Sequence, residues 1–146
     1  MKNTGRLLKM ASNHLTKQLD DFAKKFNLTW NQMTLIDYLS RCQPCTQKEI
    51  EKEFTIQRST ASIMIQRMEK KGLITRRICD DDARQRKITL TSQASPLIEE
   101  VHRFMITQQS QLESYFSKNE IDNFEKILNF FINDTYVFND SKRKDE

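Results

Sequence analysis

Residues 56–91 read IQRSTASIMIQRMEKKGLITRRICDDDARQRKITLT, a helix, a two-stranded ribbon and a basic turn in succession. From Ile56 to Lys71 the apolar positions Ala61, Met64, Ile65 and Met68 recur at i, i+3, i+4 and i+7, the spacing that gathers side chains on one helical face. Ser59, Ser62, Ile63 and Gln66 repeat that spacing on another face. One side of the helix can therefore pack on a core while the other offers short polar groups and one methyl-rich side chain, as a major-groove reader requires. Gly72, directly after Glu69-Lys70-Lys71, is suited to end the helix in the left-handed conformation. Leu73–Ile78 and Lys87–Leu90 are short, branched and separated by a charged turn, which predicts a hairpin with Asp80 to Arg86 at its tip. Arginines at a hairpin tip suit a phosphate or minor-groove contact. Asp82, two residues before Arg84, is near enough to brace its guanidinium by a charge-assisted hydrogen bond.

Charge is concentrated where this reading needs it. The chain has 24 Lys and Arg against 20 Asp and Glu, a net of +4 that by itself says little about partners. Between Ile56 and Leu90 there are nine basic and four acidic residues, whereas the remaining 15 basic and 16 acidic residues nearly cancel. A surface charged only for solubility would spread its excess.

Upstream, Leu8, Ala11, Leu15, Leu19, Phe22 and Phe26 form an apolar stripe that predicts a first long helix over about Thr4–Lys25. Thr29 and Gln32 form a capping box, with Leu28 and Met33 as its staple, opening a second helix that turns Met33, Ile36 and Leu39 inward. Pro44 breaks the chain, and a further box, Thr46 with Glu49, opens a short helix whose buried pair is Ile50 and Phe54. That short helix followed at once by the helix of residues 56–71 is a helix-turn-helix. Gln57 stands where a capping Ser, Thr or Asp is usual, so the first turn of the second helix is open. Downstream, Thr91 or Ser92 is expected to cap a helix reaching about Tyr115, with Pro96 in its first turn and Leu97, Val101, Phe104, Met105 and Leu112 on its apolar face. Ser117 with Glu120 opens a last amphipathic helix carrying Ile121, Phe124, Ile127, Leu128 and Phe131.

The fold class that follows is mainly α: a winged helix-turn-helix lobe with a two-stranded wing, plus terminal helices for dimerisation. The expected organisation is an N-terminal dimerisation helix over 1–28, the DNA-binding domain over 29–91, C-terminal dimerisation helices over 92–138, and a charged, disordered tail over 139–146. Phe130, Tyr136, Val137 and Phe138 lie off the main stripe of the last helix and are the candidates for an intersubunit contact. No apolar run approaches the roughly 20 residues of a membrane span and no signal peptide precedes the first helix, so the expectation is a soluble, cytoplasmic protein without a membrane partner. Three cysteines suggest reduced thiols rather than a disulfide framework. The two histidines have no evident nucleophile partner and phosphate-binding glycine loops are missing, so neither catalysis nor a cofactor is expected.

LTWNQMTLIDYL (28–39), STASIMIQRMEKKGLITR (59–76) and DDARQRKITLT (81–91) together resemble the MarR family of bacterial transcriptional regulators over most of the chain. Asp82-Ala83-Arg84 is similar to the family's D-x-R wing motif, in which the aspartate orients the arginine toward the minor groove. The resemblance implies a homodimer that binds a palindromic operator in double-stranded DNA, usually as a repressor, and is released by a small molecule, commonly aromatic. On residues and resemblance together, Ser59, Thr60, Ser62, Ile63 and Gln66 are assigned to base edges or adjacent phosphates, with a thymine methyl as the partner open to Ile63. Lys48, Arg58, Arg67 and Arg77 are assigned to the backbone, and Arg84, braced by Asp82, with Arg86 to the minor groove. Arg76 is set apart, because an arginine on a wing strand often pairs within the domain. Met10, His14, Trp30, Met33, Asp37, Tyr38 and Phe104 are the candidates for a ligand cleft.

Two alternatives stay open. One is a cysteine-based redox switch on the same scaffold. Cys42-Gln43-Pro44-Cys45 has the C-x-x-C spacing but no second pair for a metal, and Cys79 lies between Arg77 and the acidic run. The family's one-cysteine peroxide sensors carry their cysteine in the first helix, and this chain has none there. The other is a winged-helix protein-interaction module.

Overall fold

The computed structural model describes residues 2–79 and 82–133, and at the wing tip only the backbone of Cys79 and of residues 82–84. Helix α1 (Thr4–Lys24) starts where Asn3 Oδ1 accepts the Arg6 N–H at 2.8 Å. Asn27, at φ 57°, turns the chain out of it. All three expected capping boxes are closed. Gln32 N–H donates to Thr29 Oγ1 at 3.2 Å and Thr29 N–H to Gln32 Oε1 at 3.0 Å, opening α2 (Trp30–Cys42). Thr46 and Glu49 do the same for α3 (Gln47–Phe54). Thr55, at φ 51°, ends α3 in the left-handed region, and Ile56 and Gln57 complete the turn into α4 (Arg58–Lys70). Lys71 caps α4 and Gly72, at φ 76°, makes the left-handed exit.

The sheet differs from the expected hairpin in two ways. Strand β1 (Cys45–Thr46) pairs antiparallel with β3 (Asp82–Leu90), Cys45 opposite Ile88 and Thr46 opposite Lys87, giving three strands in the order β1-β3-β2 with β2 at Ile74–Cys79. Two residues are too few to show a periodicity, so β1 has no sequence signal. The predicted tip is also shorter: β3 begins at Asp82, and Arg84, Gln85 and Arg86 lie on a strand rather than in the turn. The register steps from Ile78 opposite Arg86 to Cys79 opposite Asp82, so residues 83–85 form a bulge. The β1–β3 pairing extends the ladder that supports this ribbon.

The expected cap by Thr91 or Ser92 is also corrected. A short 3₁₀ turn (Ser92–Ala94) intervenes and Thr91 makes no side-chain cap. Its Oγ1 donates instead to the Gly72 carbonyl at 2.6 Å, while its N–H donates to Leu73 O at 3.0 Å. Two exits, one from α4 and one from the wing, are thereby tied together. Helix α5 (Ser95–Tyr115) carries Pro96 in its first turn, and α6 (Lys118–Ile132) opens on the Ser117 and Glu120 box.

The chain divides into two compact units, one up to Arg103 and one from Phe104 onward. The first has a continuous core: Leu35, Ile36 and Leu39 of α2, Ile50 of α3, Ala61, Ile65 and Met68 of α4, and Ile74 and Ile88 of the sheet are fully buried. All four residues of the predicted α4 stripe are inside, with Met64 joining the other three. Phe54, expected with Ile50 in the core, is only half-buried and packs edge-on against Tyr38 at 6.0 Å. The second unit comprises the C-terminal part of α5 and α6. There Ile121 is buried, while Phe124 and Ile127 of the α6 stripe are half exposed.

Candidate nucleic-acid interface

With Ala61, Met64, Ile65 and Met68 turned inward, Ser59, Thr60, Ile63, Gln66 and Arg67 are exposed and Ser62 half-buried on the opposite side of α4. No side chain caps the helix: Gln57 takes the N-cap backbone position without the hydrogen bond. A shallow, open depression lined by Gln57, Arg58, Ser59 and Ser62 lies at this end. Gln47 Nε2 donates to the Arg58 carbonyl at 3.3 Å, linking the first turn of α3 to the first turn of α4. Lys48, next to Gln47, is exposed on α3.

The wing is fastened to the back of this helix. Arg76 Nε donates to Glu69 Oε2 at 3.1 Å and its Nη2 to Oε1 at 2.9 Å, a bidentate pair between β2 and the last turn of α4. The hydrogen bonds from Arg76 lower the Glu69 pKa against a smaller opposing effect of burial, with further help from the Arg76 and Arg86 charges. Arg76 thus pairs within the domain, as its strand position suggested. Lys71 Nζ donates to the Asn27 carbonyl, so the end of α4 also meets the α1–α2 turn. Leu90 N–H donates to Gln43 Oε1 at 2.8 Å.

Directly opposed residues in an antiparallel pair share a face. Arg77 stands opposite Lys87, which in turn stands opposite Thr46, while Arg76 stands opposite the buried Ile88. Arg77 is exposed, so the outward face of the sheet carries an Arg77–Lys87 basic pair. Lys87 was not among the predicted site residues, because only the register reveals its neighbour. Arg86 is exposed and lies opposite Ile78, on the face that Arg76 shares. Asp82 and Arg84 lie beside the tip, with side chains outside the described part of the molecule.

The predicted ligand residues are not gathered in the same way. Met10 and His14 are exposed on α1, whereas Met33 is fully buried in α2. Asp37 is buried and bonded to two side chains, Arg41 Nη2 at 2.8 Å and the His102 imidazole Nε2 at 2.7 Å. Tyr38 packs on Phe54, and its hydroxyl pKa is raised, first by burial and then by Cys42 and Cys45. Trp30 meets Phe22 edge-on at 6.3 Å. Phe104 belongs to the second unit. Both Cys42 and Cys45 are free. Cys42 is exposed, and Cys45 is buried with its thiol pushed up to about 11 by burial, with Glu49 and Cys42 adding and Lys87 opposing. Such a thiol is protonated at neutral pH and a poor nucleophile.

Among the described residues no group of three or more His, Cys, Asp or Glu side chains is arranged to hold a metal ion. Within the same residues, no helix is long and apolar enough to cross a membrane.

Comparison with known proteins agrees with this geometry. A model of the MarR family matches residues 28–85. The organic hydroperoxide resistance transcriptional regulator of Bacillus subtilis (strain 168) is 32% identical over 93 residues, 64% of this chain; the match spans 63% of that relative's length. The crystal structure of the transcription regulator MarR from Oenococcus oeni PSU-1 superposes with a TM-score of 0.74 at 44% identity, covering 90% of this chain and 99% of that one. A DNA complex of S. aureus MepR superposes with a TM-score of 0.84 at 24% identity, over 91% and 98% of the two chains, a likeness of fold.

Proposed function

This chain belongs to the MarR family of transcriptional regulators, winged helix-turn-helix proteins rather than enzymes, and from that premise we propose that it acts as a homodimeric, sequence-specific reader of a palindromic operator. The observation that carries the proposal is the outward face of α4, exposed and uncommitted to the core beside a wing locked to it by Glu69 and Arg76. In this reading Ser59, Thr60, Ser62, Ile63 and Gln66 enter the major groove. Lys48, Arg58, Arg67 and Arg77 hold phosphates, with Lys87 added to them, and Arg84, braced by Asp82, reaches the minor groove with Arg86. Residues 29–91 form the reading domain, while 1–28 and 92–138 supply the dimer contacts. Leu7 and Met10 on α1, and Phe124, Ile127 and Phe130 on α6, are each about half exposed and support that role. Tyr136, Val137 and Phe138, the other candidates for this contact, lie outside the described residues, as does the tail.

The regulator would work in the cytoplasm as a repressor released by a small aromatic ligand. The protonated state of Cys45 and the lack of any cysteine in α1 weigh against a thiol switch. The test is binding of the purified chain to genomic fragments, including the DNA upstream of its own coding sequence, at two salt concentrations. Selective binding that falls steeply with salt, as contact with roughly 6–10 phosphates requires, supports the proposal. Binding that ignores sequence, or none at all, overturns it.

A further inference from the structure

Ile63 is an apolar side chain in an unexpected place. At about 100° per residue it stands about 150° from the middle of the buried α4 stripe, as does Gln66, and Ser59 lies between them at the centre of the outward face. Ile63 is 50% exposed, and Gln66 and Ser59 are also exposed. The arginines of α4 lie elsewhere: Arg58 and Arg67, about 70° and 110° from the same middle, stand on the flanks. The middle of the reading face thus carries a branched alkyl group and a carboxamide one helical turn apart, with a hydroxyl, and no guanidinium. The only cation in that sector, Lys70, is at the C-terminal end of α4, whereas the N-terminal residues of a recognition helix meet the base edges.

Resting on the DNA-reading proposal above, we infer that the centre of α4 specifies A·T pairs, with Ile63 seated on the C5-methyl of a thymine and Gln66 paired to an adenine at the same or the next step. The chemistry is complementary. The thymine methyl is the one apolar feature of the major-groove edge, and a carboxamide can pair with adenine N6 and N7 together. A guanine-centred code would instead place Arg or Lys at these positions. Side chains three residues apart on a helix lie roughly 5–6 Å from each other at Cβ, against a rise of about 3.4 Å per base pair, so the two reach neighbouring pairs. Cytosine methylated at C5 presents the same alkyl group, so methylation of a cytosine at the Ile63 position would restore part of the contact.

The experiment begins by selecting duplexes from a randomised library with the full-length protein. Affinity is then measured for the selected duplex, for versions in which each thymine of both half-sites is replaced by deoxyuridine, and for versions carrying cytosine or 5-methylcytosine there. The expected result is one thymine per half-site whose demethylation weakens binding about fourfold, or about 15-fold over two half-sites, from the loss of one buried methyl. Ile63→Ala should lose a similar factor and become indifferent to deoxyuridine at that position, with 5-methylcytosine binding tighter than cytosine only for the wild type. Ile63 is on the surface, so a melting curve matching wild type separates this effect from misfolding. Deoxyuridine without effect at every position, or equal further loss in Ile63→Ala, overturns the inference while leaving DNA binding intact. Failure to select any duplex overturns the DNA-reading proposal itself.

Discussion

Glu69 does two jobs at once, receiving both nitrogens of Arg76 while standing in the last turn of α4, and its effect on stability should depend on pH in a definite direction. Its folded pKa lies below the ordinary carboxylate value, so its contribution is present above about pH 4.3 and is lost as pH falls through the lowered value. Glu69 is partly exposed and its pair is screened, so Glu69→Gln should destabilise by only about 0.5–1 kcal/mol at neutral pH. Chemical denaturation of both proteins across pH 2–7 should show that gap closing at the acid end, and a gap constant with pH would remove the ion pair as its cause. Cysteine reactivity is ordered by burial. At pH 7 in the native state a thiol reagent should label Cys42 well before Cys45, and peptide mass spectrometry with and without denaturant reads that order directly. Arg76 and Gly72 were legible in the sequence because each has a local cue: an arginine on a wing strand, which often pairs within its domain, and a glycine after a basic helix end. The Thr91 hydroxyl was misassigned because it acts across 19 residues of chain, on Gly72, where no local pattern records it.

At the level of elements, α4 and its two ends decide whether the reading face is presented at all. Gly72→Ala should destabilise by about 1–2 kcal/mol, mainly because a Cβ is strained at its positive φ. The Cβ would lie 2.8 Å from Gln93 Oε1, but that is the tip of a flexible side chain. At the other end of the helix-turn-helix, Thr55 holds a left-handed conformation unsuited to a β-branched residue. Thr55→Asn should raise the midpoint of thermal unfolding by relieving about 0.5–1 kcal/mol, and an unchanged or lower midpoint would show that the Thr side chain contributes more than its backbone costs. The helices were legible because amphipathic spacing and capping boxes are encoded within four residues. Strand β1 and the bulge at residues 83–85 were not, because pairing of Cys45 with Ile88 and of Arg86 with Ile78 joins segments that carry no label of register.

For the molecule as a whole, the exposed apolar side chains and the basic wing make separate predictions. Phe124→Glu, at a half-exposed position on α6, should shift the protein toward monomer in sedimentation velocity while leaving its helical circular dichroism in place. A variant that stays dimeric would move the dimer contact away from that face. Arg84→Ala should weaken operator binding by about 1–3 kcal/mol without altering sedimentation or melting, as read by fluorescence anisotropy. An unaltered affinity would withdraw the wing from the interface. Each unit has its own reason for this separation: the first buries a continuous core beneath α4 and the sheet, whereas the second leaves much of the α6 stripe exposed.

The features legible in the chain alone are local in origin: six helices, their caps, the inward stripe of α4, the left-handed exit at Gly72 and the concentration of positive charge around the wing. Each follows from periodicity, capping or composition within a short window, where the physics of one helix or turn is complete. Which distant groups became neighbours followed only from the folded arrangement. It drew β1 onto β3, set Arg77 beside Lys87, turned the Thr91 hydroxyl to Gly72, and brought His102 to the buried Asp37. Those pairings depend on how the core closes and on strand register, and both are settled by contacts between segments rather than by any one of them.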